Sequence, residues 1–308
     1  MLQASDLWFG YDERKPVVRG VSLSVPPGGI VGILGPNGSG KTTLLRMLAG
    51  TRRPQRGSVT LDGAPLTGFT RAALARRMAV VPQETQLAFD YTVAEVAMMG
   101  RYPHLGAFEI EGPADLAVIE ETLGSTGTLH LRDRLFATLS GGEKQRVVIA
   151  AALAQIFRDD GSFRLKAEAT GGIAEATGGV AEARASTQEP RGFRLQAEET
   201  TGYLLLDEPT ASLDLGYQLE VAALLTRLHD ERRVAIVIST HDLGLAGTLC
   251  EHLLLVRDGA VVASGPTDDV LTPANIRAVY GVDAEVIRHS SGHRLVVPLQ
   301  RAEGGERR

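Results

Sequence analysis

The stretch Gly35-Pro36-Asn37-Gly38-Ser39-Gly40-Lys41-Thr42 constrains what this chain can fold into more than any other. It follows a short apolar run, Ile30 to Leu34, and leads into a helical pattern from Thr42 to Ala49 that Gly50 stops. A buried strand, a glycine-rich turn and a helix, in that order, are the context that the pattern G-x-x-x-x-G-K-[ST] requires. Glycines let successive backbone N–H groups turn inward around phosphate oxygens, and the start of the helix adds the positive end of its dipole. The expected contacts run from Gly35 to Thr43: backbone around the phosphates, Lys41 on the β- and γ-phosphates, and Thr42 on Mg²⁺. Basic residues are almost all arginine, with lysine only at Lys15, Lys41, Lys144 and Lys166, so the lysine of this loop stands out.

The rest of the chain supplies a sheet to carry such a loop. Residues 2–32 alternate in the manner of β-strands, and Val21 to Val25 has a clear period of two. Val59 to Leu61 runs into an Asp62-Gly63 turn, and Ala79 to Val81, Tyr203 to Leu206 and Val234 to Ile238 read as short buried strands. Thr92 to about Gln155 is helical in pattern, and Leu253 to Ser264 returns to short strands around Asp258-Gly259. Buried strands alternating with helices argue for a parallel α/β sheet. Leu204-Leu205-Leu206-Asp207-Glu208 is an apolar strand that ends in two carboxylates, at the end where α/β sheets bind ligands. There Asp207 is expected to hold Mg²⁺, and Glu208 to polarise an attacking water as general base.

Residues 158–201 break the pattern. Ala-Glu-Ala-Thr-Gly-Gly occurs at 167–172 and again at 174–179, and the segment from Phe163 to Glu168 recurs nearly unchanged from Phe193 to Glu198. Each seven-residue repeat has one apolar residue and two glycines, too little to form a coiled-coil seam or to offset ordering entropy. The expectation is a disordered, dispensable insertion.

Leu139-Ser140-Gly141-Gly142-Glu143-Lys144-Gln145-Arg146 opens the helix that runs to about Gln155. With this segment the chain resembles the nucleotide-binding subunits of ATP-binding-cassette (ABC) transporters, whose signature reads Leu-Ser-Gly-Gly-Glu-x-Gln-Arg. Ser140 and the N–H groups of Gly141 and Gly142 at a helix start make a second anion site. The resemblance implies that this surface closes on ATP held by the opposite subunit of a head-to-tail homodimer. It also implies that Tyr11 stacks on adenine, and that Gln83 touches Mg²⁺ or water and senses the permease. Asp214, in Ser212-Leu213-Asp214, is implied to cross the dimer. His241, after the strand ending at Ser239-Thr240, is implied to sense the γ-phosphate. The segments from Tyr91 to Gly106, from Tyr280 to Asp283 and from Val296 to Leu299 resemble subunits of importers for iron chelates (siderophores), haem and vitamin B12. One departure is Ala151, which stands where the family usually has arginine in the signature helix.

The resemblance implies an α/β phosphate-loop (RecA-like) core with an antiparallel β subdomain and an α-helical subdomain. The expected layout is a single ATPase domain over 1–300, with a helical subdomain at about 86–155, a C-terminal β/helical extension at about 253–300 and a disordered tail at 301–308. ATP and Mg²⁺ are the implied cofactors. The implied partners are transmembrane permease subunits and, through them, an extracytoplasmic substrate-binding protein. Two alternatives stay open: a non-transport ABC ATPase and an exporter subunit.

A net charge of -5 provides no global basic field, so nucleic acid is not an expected partner. Cys250 is the sole cysteine, which excludes an intramolecular disulfide and suits a reducing compartment. The first residues lack a basic stretch followed by an apolar run, and no run of about 18 apolar residues occurs anywhere, so neither a signal peptide nor a membrane span is expected. A peripheral position on the cytoplasmic face of the inner membrane then depends on a partner that supplies the spans.

Overall fold

The structure is a computed structural model, and it describes residues 1–12, 14–157, 202–211, 213–290 and 292–302. The insertion expected at 158–201 lies outside the described residues, as does the tail from 303 onward.

Period-two alternation builds β1 (Leu2–Asp12) and β2 (Lys15–Val25), which pair antiparallel. β3 (Ile30–Leu34), buried along its whole length, runs into the loop that precedes α1 (Lys41–Leu48). β4 (Arg56–Leu61) and β5 (Ala64–Pro65) are joined by a tight turn, and α2 (Arg71–Ala75) leads to β6 (Met78–Val81). Three helices then follow, α3 (Val93–Met98), α4 (Pro113–Ser125) and α5 (Gly141–Ile156). Beyond residue 201 come β7 (Tyr203–Asp207), α6 (Leu215–Arg232), β8 (Ala235–Thr240), α7 (Leu243–Leu249), β9 (His252–Arg257) and β10 (Ala260–Pro266). The described chain closes with α8 (Thr267–Val270), α9 (Pro273–Tyr280) and a hairpin of β11 (Val282–Arg288) and β12 (Arg294–Arg301).

The central sheet has the order β10-β9-β3-β8-β7-β6. All neighbours are parallel except the edge strand β10, which is antiparallel to β9. Both faces are covered, which is why its strands read as continuous apolar runs. Leu204, Leu206, Ile236 and Ile238 share one core with residues of α5 and α6. Tyr203, Leu205, Ala235 and Val237, the alternate residues of the same strands, share the other core with α1 and the four-stranded antiparallel sheet β2-β1-β4-β5. Because β3, β7 and β8 run parallel, they deliver the phosphate-binding loop, the carboxylates and His241 to the same edge.

Two expected boundaries are corrected here. The C-terminal extension does not begin near 253, since β9 pairs parallel with β3 and belongs to the central sheet. What lies outside that sheet starts at α8 and consists of α8, α9 and the β11–β12 hairpin. The expected tail also starts too early: β12 includes Arg301, and the Ala302 N–H donates to the Gly281 carbonyl at 3.0 Å.

The helical region is fastened from within. Arg101 is fully buried; its Nε bonds Asp115 Oδ1 at 2.9 Å, and its Nη1 bonds the carbonyls of Ala154 and Phe157 at 2.9 Å each. It thus satisfies carbonyls at the end of α5 that no helical N–H can reach. Burial pushes the Asp115 carboxyl up, but the Gly112 N–H and Arg101 outweigh it and hold the group below the usual carboxylate range. Among the described residues, no helix is long and apolar enough to cross a membrane.

Candidate functional site

β3 ends at Leu34, and the chain turns through 35–40 before α1 starts at Lys41. Gly40 caps α1 with φ at +102°, and a Cβ there would lie 2.6 Å from the Val17 carbonyl, so the turn needs glycine on both counts. Lys41 is 5% exposed, and its Nζ donates to the carbonyls of Gly35 at 2.9 Å and Pro36 at 3.2 Å. The same ammonium lies 3.3 Å from Glu208 Oε1. On the other side, Glu208 Oε2 lies 3.2 Å from His241 Nδ1. Glu208 therefore stands between the lysine of the loop and the histidine that follows β8.

Asp207 closes β7 one residue earlier. Thr42 Oγ1 donates to its Oδ1 at 3.1 Å, and the Ser239 hydroxyl donates to the same oxygen. A cavity of about 330 Å³ opens over these groups, lined by 37–43 together with Val17, Gln83 and Glu208. Ser39 Oγ is buried beside it without a hydrogen-bond partner. An orphaned hydroxyl, a buried ammonium and a helix start suit the oxygens of a polyphosphate. The Thr42 hydroxyl, the Asp207 carboxylate and the Gln83 amide are hard oxygen donors of the kind that suits Mg²⁺.

Tyr11 sits near the end of β1 with 61% of its surface exposed. Its ring meets Phe9 edge-on at 5.1 Å, and the Arg52 guanidinium lies 5.5 Å above it. The Thr43 side chain beside it holds the phenol below its ordinary value of 10. The backbone just before Tyr11 is clamped by Gln55, whose amide bonds the N–H of Gly10 at 3.0 Å and its carbonyl at 3.1 Å.

The expected residues Ser140, Gly141, Gly142 and Asp214 do not line this cavity. Ser140 caps α5: its Oγ accepts the Glu143 N–H at 3.3 Å, and its own N–H donates to Glu143 Oε2 at 2.8 Å. That N–H holds the Glu143 carboxyl below the usual range. Asp214 caps α6 by accepting the Tyr217 N–H at 3.1 Å. The Tyr217 ring lies so close over Gly142 that a Cβ there would come within 2.2 Å of it. The Asp214 segment and the start of α5 therefore form one packed unit, apart from the phosphate-binding loop of their own chain.

Sequence alone does not mark Ser239, Arg52, Gln55 or Tyr217 as site residues. Ser239 left a trace, since a hydroxyl at the end of the buried run Ala235 to Ile238 is out of place in a purely apolar strand. The other three act through contacts that no local pattern reports.

The loop, the carboxylates and the sheet that carries them define a phosphate-loop ATPase. A family model for ABC transporters matches residues 18–156. A haemin import ATP-binding protein (HmuV) of Gloeobacter violaceus is 40% identical over 280 residues, covering 91% of this chain and 87% of that protein. A cobalamin import ATP-binding protein (BtuD) of Halobacterium salinarum is 35% identical over 270 residues, covering 88% of this chain and 56% of that protein. Among solved structures, an inward-facing transporter of the metal-chelate ABC type aligns with a TM-score of 0.73 at 25% identity, covering 97% of this chain and 96% of that one. The chain belongs to the ABC transporter family of ATP-binding proteins, and it is an ATPase.

Proposed function

We propose that this chain is the ATP-hydrolysing subunit of an importer for haem, an iron chelate or vitamin B12. Two copies act as a head-to-tail dimer on the cytoplasmic face of the inner membrane, bound to permease subunits that an extracytoplasmic binding protein loads. Relatives named for haemin and cobalamin import support the cargo class. The observation that carries the dimer is the separation of Ser140 and Gly142 from the loop of their own chain, which leaves that second anion site for a partner's nucleotide.

In this reading the loop from Gly35 to Thr43 wraps the phosphates, Lys41 neutralises their charge and Tyr11 stacks on the base. Thr42, Asp207 and Gln83 would hold Mg²⁺, which would supply positive charge against the phosphates. Glu208 takes the proton of a water aligned for in-line attack, and His241 holds Glu208 and faces the γ-phosphate. Ser140, Gly141, Gly142 and Asp214 complete the site from the other copy. ATP binds the closed dimer more tightly than the open one, so closure and release drive the permease.

The test is co-purification. Tagged chain, expressed with a candidate multi-span permease of an ABC importer, should bring that protein down from detergent extract, and the complex should take up haem, iron chelate or B12 in vesicles supplied with ATP. Failure of all three cargoes in a complex that hydrolyses ATP would overturn the cargo assignment.

A further inference from the structure

Ser239 lies in β8 directly across the parallel ladder from Asp207, and it is fully buried. Its two ends do different work. The hydroxyl donates to Asp207 Oδ1, the oxygen that also accepts from Thr42. The main-chain carbonyl accepts the N–H of Glu208 at 2.8 Å. Glu208 has φ at +48°, a left-handed conformation that a non-glycine residue holds only where its surroundings impose it.

We propose that Ser239 is a positioning residue for the ATPase site, whose hydroxyl sets the Asp207 carboxylate for the metal. This rests on the reading that Thr42 and Asp207 hold Mg²⁺. Two hydroxyls on Oδ1 fix the plane of the carboxylate. Oδ2 accepts no hydrogen bond from the described residues, so it is the oxygen left for the metal or for a water on the metal. Partners in such a supporting layer orient the groups that touch a metal, and losing one weakens the site without removing a ligand. The division of labour also isolates the effect. Substitution of the side chain removes the bond to Asp207 and leaves the main-chain bond that shapes Glu208.

The experiment uses the full chain with Ser239→Ala, which deletes only the hydroxyl, and Ser239→Thr, which keeps one. ATP turnover is titrated with Mg²⁺, and binding of a fluorescent ATP analogue is measured in EDTA and in Mg²⁺. In Ser239→Ala the Mg²⁺ concentration for half-maximal turnover should rise about tenfold. Its affinity for the analogue in EDTA should stay within about twofold, and turnover at saturating Mg²⁺ should recover to within about threefold. Ser239→Thr should restore most of the Mg²⁺ response; if its methyl group prevents folding, the Ala variant decides alone. A wild-type Mg²⁺ response in a folded Ser239→Ala protein would overturn the proposal, as would an equal loss of binding in EDTA and in Mg²⁺. If wild type and Asp207→Asn both turn over ATP without regard to Mg²⁺, the metal reading itself fails and takes the role of Ser239 with it.

Discussion

The phosphate-binding edge of the sheet and the start of α5 both present a helix N-terminus, yet they are built on opposite principles. At the first, the groups converge within one chain: Lys41, the Asp207-Glu208 pair and His241 arrive on three segments and meet at one edge of the sheet, where Lys41 and Glu208 line the cavity. At the second, Ser140 and Glu143 satisfy each other, Tyr217 backs the glycines, and no lysine of the same chain's loop reaches across. One gathers its polar groups around a cavity of its own chain, and the other satisfies its own polar groups away from that cavity. In the proposed dimer the first holds the nucleotide, and the second acts only when another copy brings a nucleotide to it.

The sharpest way to separate the two regions is to disable the first without touching the second. Glu208→Gln should reduce ATP turnover by about 10²- to 10⁴-fold, the usual worth of a positioned base, and leave nucleotide affinity within a few fold. Phosphate release paired with equilibrium binding reads this, and turnover at the wild-type rate would remove Glu208 from the role. Lys41→Ala should instead lose nucleotide binding itself.

A change inside the helical region should have the converse signature. Arg101→Ala leaves Asp115 buried without its ion-pair partner and removes the guanidinium that donates to the Ala154 and Phe157 carbonyls. Breaking such a pair costs about 3–5 kcal/mol, readable as a lower midpoint in denaturant unfolding. The phosphate-binding loop should still bind nucleotide at temperatures where the variant is folded. A loss below about 1 kcal/mol would show that Arg101 is not the fastener of this region.

The smallest effect is expected from the low-complexity segment at 158–201. Gly202 packs against Ile156, since a Cβ on Gly202 would come within 3.0 Å of the Ile156 side chain. The described residues that flank 158–201 therefore pack together, at the start of β7 and opposite the end that carries Asp207. Replacing 158–201 with a short Gly-Ser linker should leave turnover within a few fold. Complete loss would show that the segment is required.

How much of this was readable beforehand follows from the range of the forces involved. The loop at 35–42 and the strand ending in Asp207-Glu208 announce themselves because their chemistry is local: glycines, a lysine and an apolar run carry it within a few residues. His241 was legible only through its place in an ordered series of motifs. β9 reads in sequence as part of an appended extension because the turn at Asp258-Gly259 is a local signal, whereas its pairing with β3 is made far along the chain. The roles of Arg101 and Ser239 were out of reach for the same reason. Their side chains answer groups on distant segments; the hydroxyl at the end of the apolar run marks Ser239 as unusual, but neither residue shows in sequence which group it answers.

The central claim is that each nucleotide is completed by another copy of this chain, and the mass of the Glu208→Gln protein in solution tests it most directly. Measured by light scattering in ATP and Mg²⁺, that protein should weigh twice the 32.8 kDa of one chain, and it should return to one chain without nucleotide or when Ser140→Arg is added. A nucleotide-loaded Glu208→Gln protein that remains a single chain at every concentration would contradict the account.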